Sequence, residues 1–117
     1  MEIKKQLNAK FVLEPTLDNK FNLYYLNSTI APDNYLLEAE RKIWYQVNSN
    51  ITDVYFNDSL VVVTNKEVKK TIYYVYFFGK ESEYFTYFKA KDSILLGKGL
   101  TKIGINYKIE LKSISDL

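Results

Sequence analysis

The sequence predicts an α+β domain. It is a mostly antiparallel, curved sheet of about six to eight strands in the order β-β-α-β-β-β-β-β, with a single amphipathic helix at about residues 33–47 packed on one face. Three observations predict it. Apolar and polar residues alternate over much of the chain, at the period of a half-buried strand. Leu36, Ala39, Ile43 and Val47 repeat instead at helical spacing, and no second stretch does so over a comparable length. Between Thr71 and Lys91 the sequence writes a hairpin whose two faces differ in chemistry.

The elements follow in order. Ile3, Leu7, Ala9, Phe11 and Leu13 alternate with Lys4, Gln6, Asn8 and Lys10, which reads as one strand. Glu14 to Asn19 is turn chemistry, and Phe21 to Leu26 returns to complete a hairpin. Ala31-Pro32-Asp33-Asn34 reads as a helix start, with Asp33 as its capping acid. The helix carries Trp44 as a core anchor and ends before Asn48-Ser49-Asn50. Strands at Thr52–Phe56 and Leu60–Thr64 are joined by Asn57-Asp58. After the aromatic hairpin comes a short apolar strand, Ile94-Leu95-Leu96, bounded by Gly97 and Gly99. The last strand places Ile103, Ile105, Tyr107, Ile109 and Leu111 at period two, and Gly104 within its polar stripe marks a bulge or a close backbone approach. No linker, repeat or low-complexity tract divides residues 1–117, so the chain reads as one domain with a single core.

Composition excludes more than it proves. Hydrophobic residues make up 47 %, which rules out intrinsic disorder, and no apolar run approaches the ~20 residues of a membrane span. Met1 to Lys10 has no apolar h-region, which points to a cytoplasmic protein. There is neither cysteine nor histidine. That removes disulfides, most zinc sites, thiolate and serine–histidine catalysis, and the usual proton shuttle near neutral pH.

The remaining polar residues form no site either. Glu38 and Glu40 point to different sides of the expected helix. Asp53, Asp58 and Asp92 read as strand-end or turn residues, and Lys98 to Lys102 has too few glycines for a phosphate loop. The chain therefore reads as non-enzymatic, with no catalytic residue, metal or cofactor. Asn27, Asn50 and Asn57 open three glycosylation sequons, where about one is expected by chance in so Asn-rich a chain, and glycosylation also needs a secretory route.

The aromatic hairpin carries the functional expectation. It holds nine of the eighteen Tyr and Phe residues. If Gly79 to Ser82 forms an even-numbered loop, residues whose numbers sum to 161 sit opposite one another. One face then collects Thr71, Tyr73, Val75, Phe77, Tyr84, Thr86, Phe88 and Ala90, without a charge, and reads as core. The other collects Lys70, Tyr74, Tyr76, Phe85, Tyr87, Lys89 and Lys91, with Ile72, Phe78 and Glu83. If the first, aromatic and last strands are neighbours, Lys4, Lys10, Lys102, Lys108 and Lys112 join that face. Residues 59–117 carry ten basic and six acidic groups, net +4, against six basic and eight acidic groups, net −2, before them.

A structural reading makes this second face another core layer or a homodimer seam, because a central hairpin covered on both sides needs apolar residues on both. The preferred functional reading is a protein-binding face, with Tyr as contact area and Lys as a steering rim for an acidic partner. One alternative is single-stranded nucleic acid, stacked on Tyr74, Tyr76, Phe85 and Tyr87 and neutralised by Lys. A second is a small-ligand pocket, since a helix packed in a curved sheet is also the layout of hotdog-like and nuclear-transport-factor-like folds. Fifteen of sixteen basic residues are Lys, alongside abundant Asn, Ile and Tyr, a bias of AT-rich genomes. It fits a small inhibitor or accessory protein from a virus or mobile element.

Overall fold

The computed structural model describes residues 5–30, 40–67, 69–78 and 85–117, with the backbone alone at 27–30, 40–44 and 67. Seven strands run in chain order across one antiparallel meander: β1 (Lys5–Gln6), β2 (Phe11–Pro15), β3 (Phe21–Ile30), β4 (Glu40–Phe56), β5 (Leu60–Glu67), β6 (Lys70–Phe78) and β7 (Phe85–Ala90). Helix α1 (Ser93–Lys102) follows, then β8 (Lys112–Ser113) pairs with β4, and a 3-10 turn covers Ile114–Asp116. The expected α+β class, a curved open antiparallel sheet with, among the described residues, a single α-helix packed on it, is what the chain forms.

The helix is not where the sequence placed it. Residues 40–47 of the expected helix belong to β4, paired with β3 from Ile30–Glu40 through Tyr25–Tyr45, and residues 33–39 lie outside the described residues. The pairing supplies ladder hydrogen bonds along the segment, and Ile43, Tyr45 and Val47 have the branched or aromatic side chains that suit a pleated sheet. The Asp33 cap and the Trp44 side chain also fall outside the described part. The opening segment is likewise split. Asn8 turns the chain by accepting the backbone N–H groups of Lys10 (2.9 Å) and Phe11 (3.1 Å) on its Oδ1, so one expected strand becomes the β1–β2 hairpin.

α1 occupies the segment read as a short strand. Asp92 is its N-cap, accepting the Leu95 N–H at 2.8 Å. Leu96 and Leu100, four residues apart, are its buried positions. The helix stops on Gly104, whose φ of 90° suits glycine. Gly104 N–H bonds the Thr101 carbonyl (3.0 Å) and Ile105 N–H the Leu100 carbonyl (2.9 Å), the Schellman pair of bonds. Gly104 is thus a helix terminator and not a strand bulge. Beyond it residues 105–111 form neither helix nor ladder, with a bend at Tyr107. Ile103, Ile105, Ile109 and Leu111 are half-buried against the outer cluster described below. Their alternation reports a strap whose apolar side lies on the protein, with the period of a strand but no ladder pairing.

β5 sits at the centre of the core, with Leu60 to Thr64 all at most 2 % exposed. Its two faces divide the interior. On the inner face Val61 and Val63 join Phe11, Leu13, Leu23 and Tyr76, among others. On the outer face Leu60 and Val62 join Val75, Ala90, Leu96 and Leu100. The sheet curls toward the inner face: the Phe11 ring of β2 lies 5.5 Å from Tyr76 and 5.7 Å from Phe78 of β6, although three strands stand between β2 and β6 in the sheet. Register shifts beside Leu23 and between Ile51 and Asp53, with Asn50 at φ 55°, place the bend in β4.

A polar cluster pins β4 to β5 next to that bend. Thr64, only 2 % exposed, donates to Asp53 Oδ2 (2.8 Å), Thr52 does so at 2.9 Å, and Lys66 pairs with the same oxygen at 3.0 Å. Burial works against the Asp53 charge, but the bonds from Lys66, Thr64 and Thr52 outweigh it and hold the carboxyl below its ordinary range. A carboxyl whose folded pKa is depressed stabilises the fold above its unfolded pKa of about 4. That contribution disappears as the pH falls through the folded value. Acid titration of stability should therefore be shallower below about pH 4 in Asp53→Asn than in the parent, by chemical denaturation at each pH. An identical acid limb in both proteins contradicts this.

The two helical glycines separate packing from propensity. A Cβ at Gly99 would run into the Phe88 ring, whereas at Gly97 nothing lies within 4 Å. Gly97→Ala is expected to raise stability by ~0.5–1 kcal/mol through helix propensity. Gly99→Ala is expected to lower it by ~1–3 kcal/mol, because overpacking against Phe88 outweighs the same propensity gain. Urea denaturation of both variants checks the sign of each.

Candidate functional site: an aromatic cleft on the inner face

β6 and β7 pair from Tyr73–Ala90 to Phe78–Phe85, so opposed residue numbers sum to 163, two more than expected. The hairpin has slipped by two residues, and residues 79–84, with Glu83 and Tyr84, lie outside the described part. A two-residue slip leaves every side chain on its original face, because the pleat also repeats every two residues. The face expected to be core, with Val75, Phe88 and Ala90, is the one that α1 covers. The other face turns inward, toward β2 and β3.

Four of the seven expected binding residues come together there. Tyr74, Tyr76, Phe85 and Tyr87, with Val47 of β4, line a cleft of about 220 Å³. They differ in depth. Tyr76 is buried at 3 % exposure, Phe85 and Tyr74 are half-buried, and Tyr87 is 57 % exposed. Phe85 stands edge-on to Tyr25 (centroids 4.8 Å, 68°) and to Tyr76 (5.4 Å, 73°), and so joins the cleft to the core. Tyr87 stacks on Tyr76 at 5.7 Å and 22°, which presents its ring from a fixed base.

The floor of the cleft is held by hydrogen bonds. The Tyr76 hydroxyl donates to the Val47 carbonyl (3.2 Å) and accepts from Asn48 Nδ2 (3.1 Å). Burial pushes this hydroxyl up to about 12, against a smaller opposing effect of the Asn48 bond. Val47 and Asn48 were not legible as part of a site, since the 3.6-residue spacing through Val47 assigned that stretch to a helix.

The three lysines do not line the cleft. Lys89 is exposed on β7 opposite Tyr74, hence on the same face. Lys70 begins β6 opposite Glu67, is exposed, and already has an interaction of its own. Lys91 lies beyond the end of β7 and is exposed. Nor do the first and last segments adjoin the aromatic hairpin in the sheet. β1 stands at the opposite edge from β7, and β8 pairs with β4.

Among the described residues no group of three or more Asp and Glu gathers to hold a metal ion. Also among the described residues, no helix is long and apolar enough to cross a membrane. No family model matches the chain, and comparison with curated proteins and with solved structures likewise yields no match.

Tyr76 offers a direct check on the cleft floor. Its folded pKa lies above the unfolded value of about 10, so its contribution to stability is complete below that pH and lost as the pH rises toward 12. Tyr76→Phe should lose ~1 kcal/mol at neutral pH, by removing the donor to the Val47 carbonyl. It should also remove a late-titrating phenol from the tyrosinate absorbance curve. A variant with the parent's stability and titration would show that this hydroxyl is solvated and the floor open.

Proposed function

We propose that this protein is a non-enzymatic protein-binding module that seats one large apolar side chain of its partner in the Val47–Tyr87 cleft. The observation that carries the reading is the gradient across four rings, from buried Tyr76 to exposed Tyr87, which leaves a preformed opening lined by no charged residue. Ligand pockets for drug-sized molecules run ~300–1,000 Å³, so about 220 Å³ is small for one and suited to a single anchoring side chain. Lys89 beside the cleft and the net +4 of residues 59–117 favour an acidic partner, attracted before it docks. Base stacking on a sheet uses two or three open rings, and here Tyr87 is the exposed one of the four. The lysine-rich, AT-biased composition carries the further proposal of an inhibitor or accessory protein of a virus or mobile element, acting inside the cell.

Tyr87 is the residue to test, since its exposure separates binding from folding. A photo-crosslinking benzophenone residue at position 87 should capture one defined partner. With that partner purified, Tyr87→Ser should weaken its affinity about tenfold or more, with stability within ~0.5 kcal/mol of the parent. Unchanged affinity in Tyr87→Ser would sink the proposal. So would crosslinks to the chain itself together with a dimeric mass by light scattering, which would make the cleft a homodimer seam.

A further inference from the structure

We infer that the open edge of β7, together with the outward side of α1, binds an extended acidic segment of another protein by strand addition. This surface shares Lys89 with the rim of the aromatic cleft but does not rest on the reading given to that cleft. Among the described residues β7 is the last strand of the sheet and pairs with β6 alone, so within them the outward backbone N–H and C=O groups of Phe85–Ala90 have no strand partner. α1 starts three residues after β7 ends. Between them runs a groove of about 770 Å³ lined by Lys89, Ile94, Leu95, Lys98, Thr101 and Lys102, with Gly97 and Gly99.

Two features of the groove exceed what the fold needs. Leu96 and Leu100 already seat the helix on the sheet, yet Ile94 is 69 % and Leu95 39 % exposed on its free side. Lys89, Lys98 and Lys102 make no ion pair among the described residues, and no acid lines the groove.

Each feature narrows the occupant. Only a polypeptide can continue the ladder of β7. Alternation along a strand would let carboxylates on one side of the segment meet the lysines while apolar residues on the other meet Ile94 and Leu95. A second copy of this chain is disfavoured, because pairing two β7 edges would bring like-charged lysines together. Anionic lipid or nucleic acid would use the lysines and leave the strand edge unpaired.

The probe is an end-blocked peptide of about nine residues alternating Glu and Val, a strand-length segment, titrated at low salt into isotope-labelled full-length protein. Amide shifts should be confined to β7 and α1, hydrogen exchange of the outward β7 amides should slow, and added salt should weaken binding. The double variant Lys98→Glu, Lys102→Glu alters exposed residues and should keep its thermal transition. Its affinity should fall about tenfold or more. The same peptide N-methylated at alternate residues, which cannot form the ladder, should fall as far.

Several results overturn the inference. One is the absence of any shift at millimolar peptide, and another is equal binding of the N-methylated peptide. Stronger shifts at the same residues from phosphatidylserine vesicles or a thymidine oligonucleotide would also overturn it. Shifts restricted to Val47, Tyr74 and Tyr87 would place the peptide in the aromatic cleft, ending this inference while leaving that site standing. Loss of the Tyr87→Ser effect on partner binding, with this groove still responding, would do the reverse.

Discussion

β4 runs for seventeen residues, while strands in globular proteins usually stop at ten residues or fewer. Such a strand stays paired only by changing partners along the way. Its first part runs beside β3 as far as Ile51, and its second part runs between β5 and β8. The change takes place over Asn48 to Asp53, where the register shifts twice and Asn50 adopts a left-handed conformation. A flat sheet of seven strands would leave Phe11 far from Phe85. The bend brings their rings to 5.6 Å and gives the sheet an inside. The inner core, the direction of the aromatic hairpin and the depth of each ring in the cleft all follow from that turn.

The curl explains how one face is packed at one end and open at the other. Phe11 reaches Tyr25, Tyr76, Phe78 and Phe85, so the inner face of the hairpin is core where β2 lies over it. Tyr87 lies beyond that cover, and Val47 and Tyr74 flank the gap. The cleft is therefore the open end of a core, and its rigidity derives from the same contacts that hold the sheet curled. The aromatic row is a core layer at its buried end, and only its exposed end is left to the partner surface proposed above.

What was legible in the chain was its face chemistry. The charge sorting in the hairpin fixed which residues share a side, and that survived a register error because the slip was even. Asn57-Asp58 was correctly a hairpin turn, with Asn57 Oδ1 accepting the Ser59 N–H at 2.9 Å. Periodicity failed where two structures share a period. Leu36 to Val47 has apolar residues at helical spacing, yet residues 40–47 are strand because β3 lies alongside to pair with them. Ile103 to Leu111 alternates like a strand but is a strap. The true helix was hidden by Gly97 and Gly99, although its ends were written plainly in the Asp92 cap and in Gly104 followed by Ile105. Burial depth was not legible at all. Nothing in the sequence ranks Tyr76 below Tyr87, because that ranking depends on how far β2 reaches across a bend made more than thirty residues away along the chain.

The order of the elements also has a consequence for the chain as it is synthesised. Leu60, Val62 and Val75 form the outer face of β5 and β6, but their cover, α1 and the strap after it, begins only at Ser93. Ile114, in the turn after β8, is fully buried in the inner core, so neither core can close until synthesis has passed it. Until then the outer face shows the solvent bare aliphatic side chains, a surface that recruits chaperones and promotes aggregation. The elements after β7 thus act as a clasp on both faces of the sheet, and a chain cut before them would complete neither core.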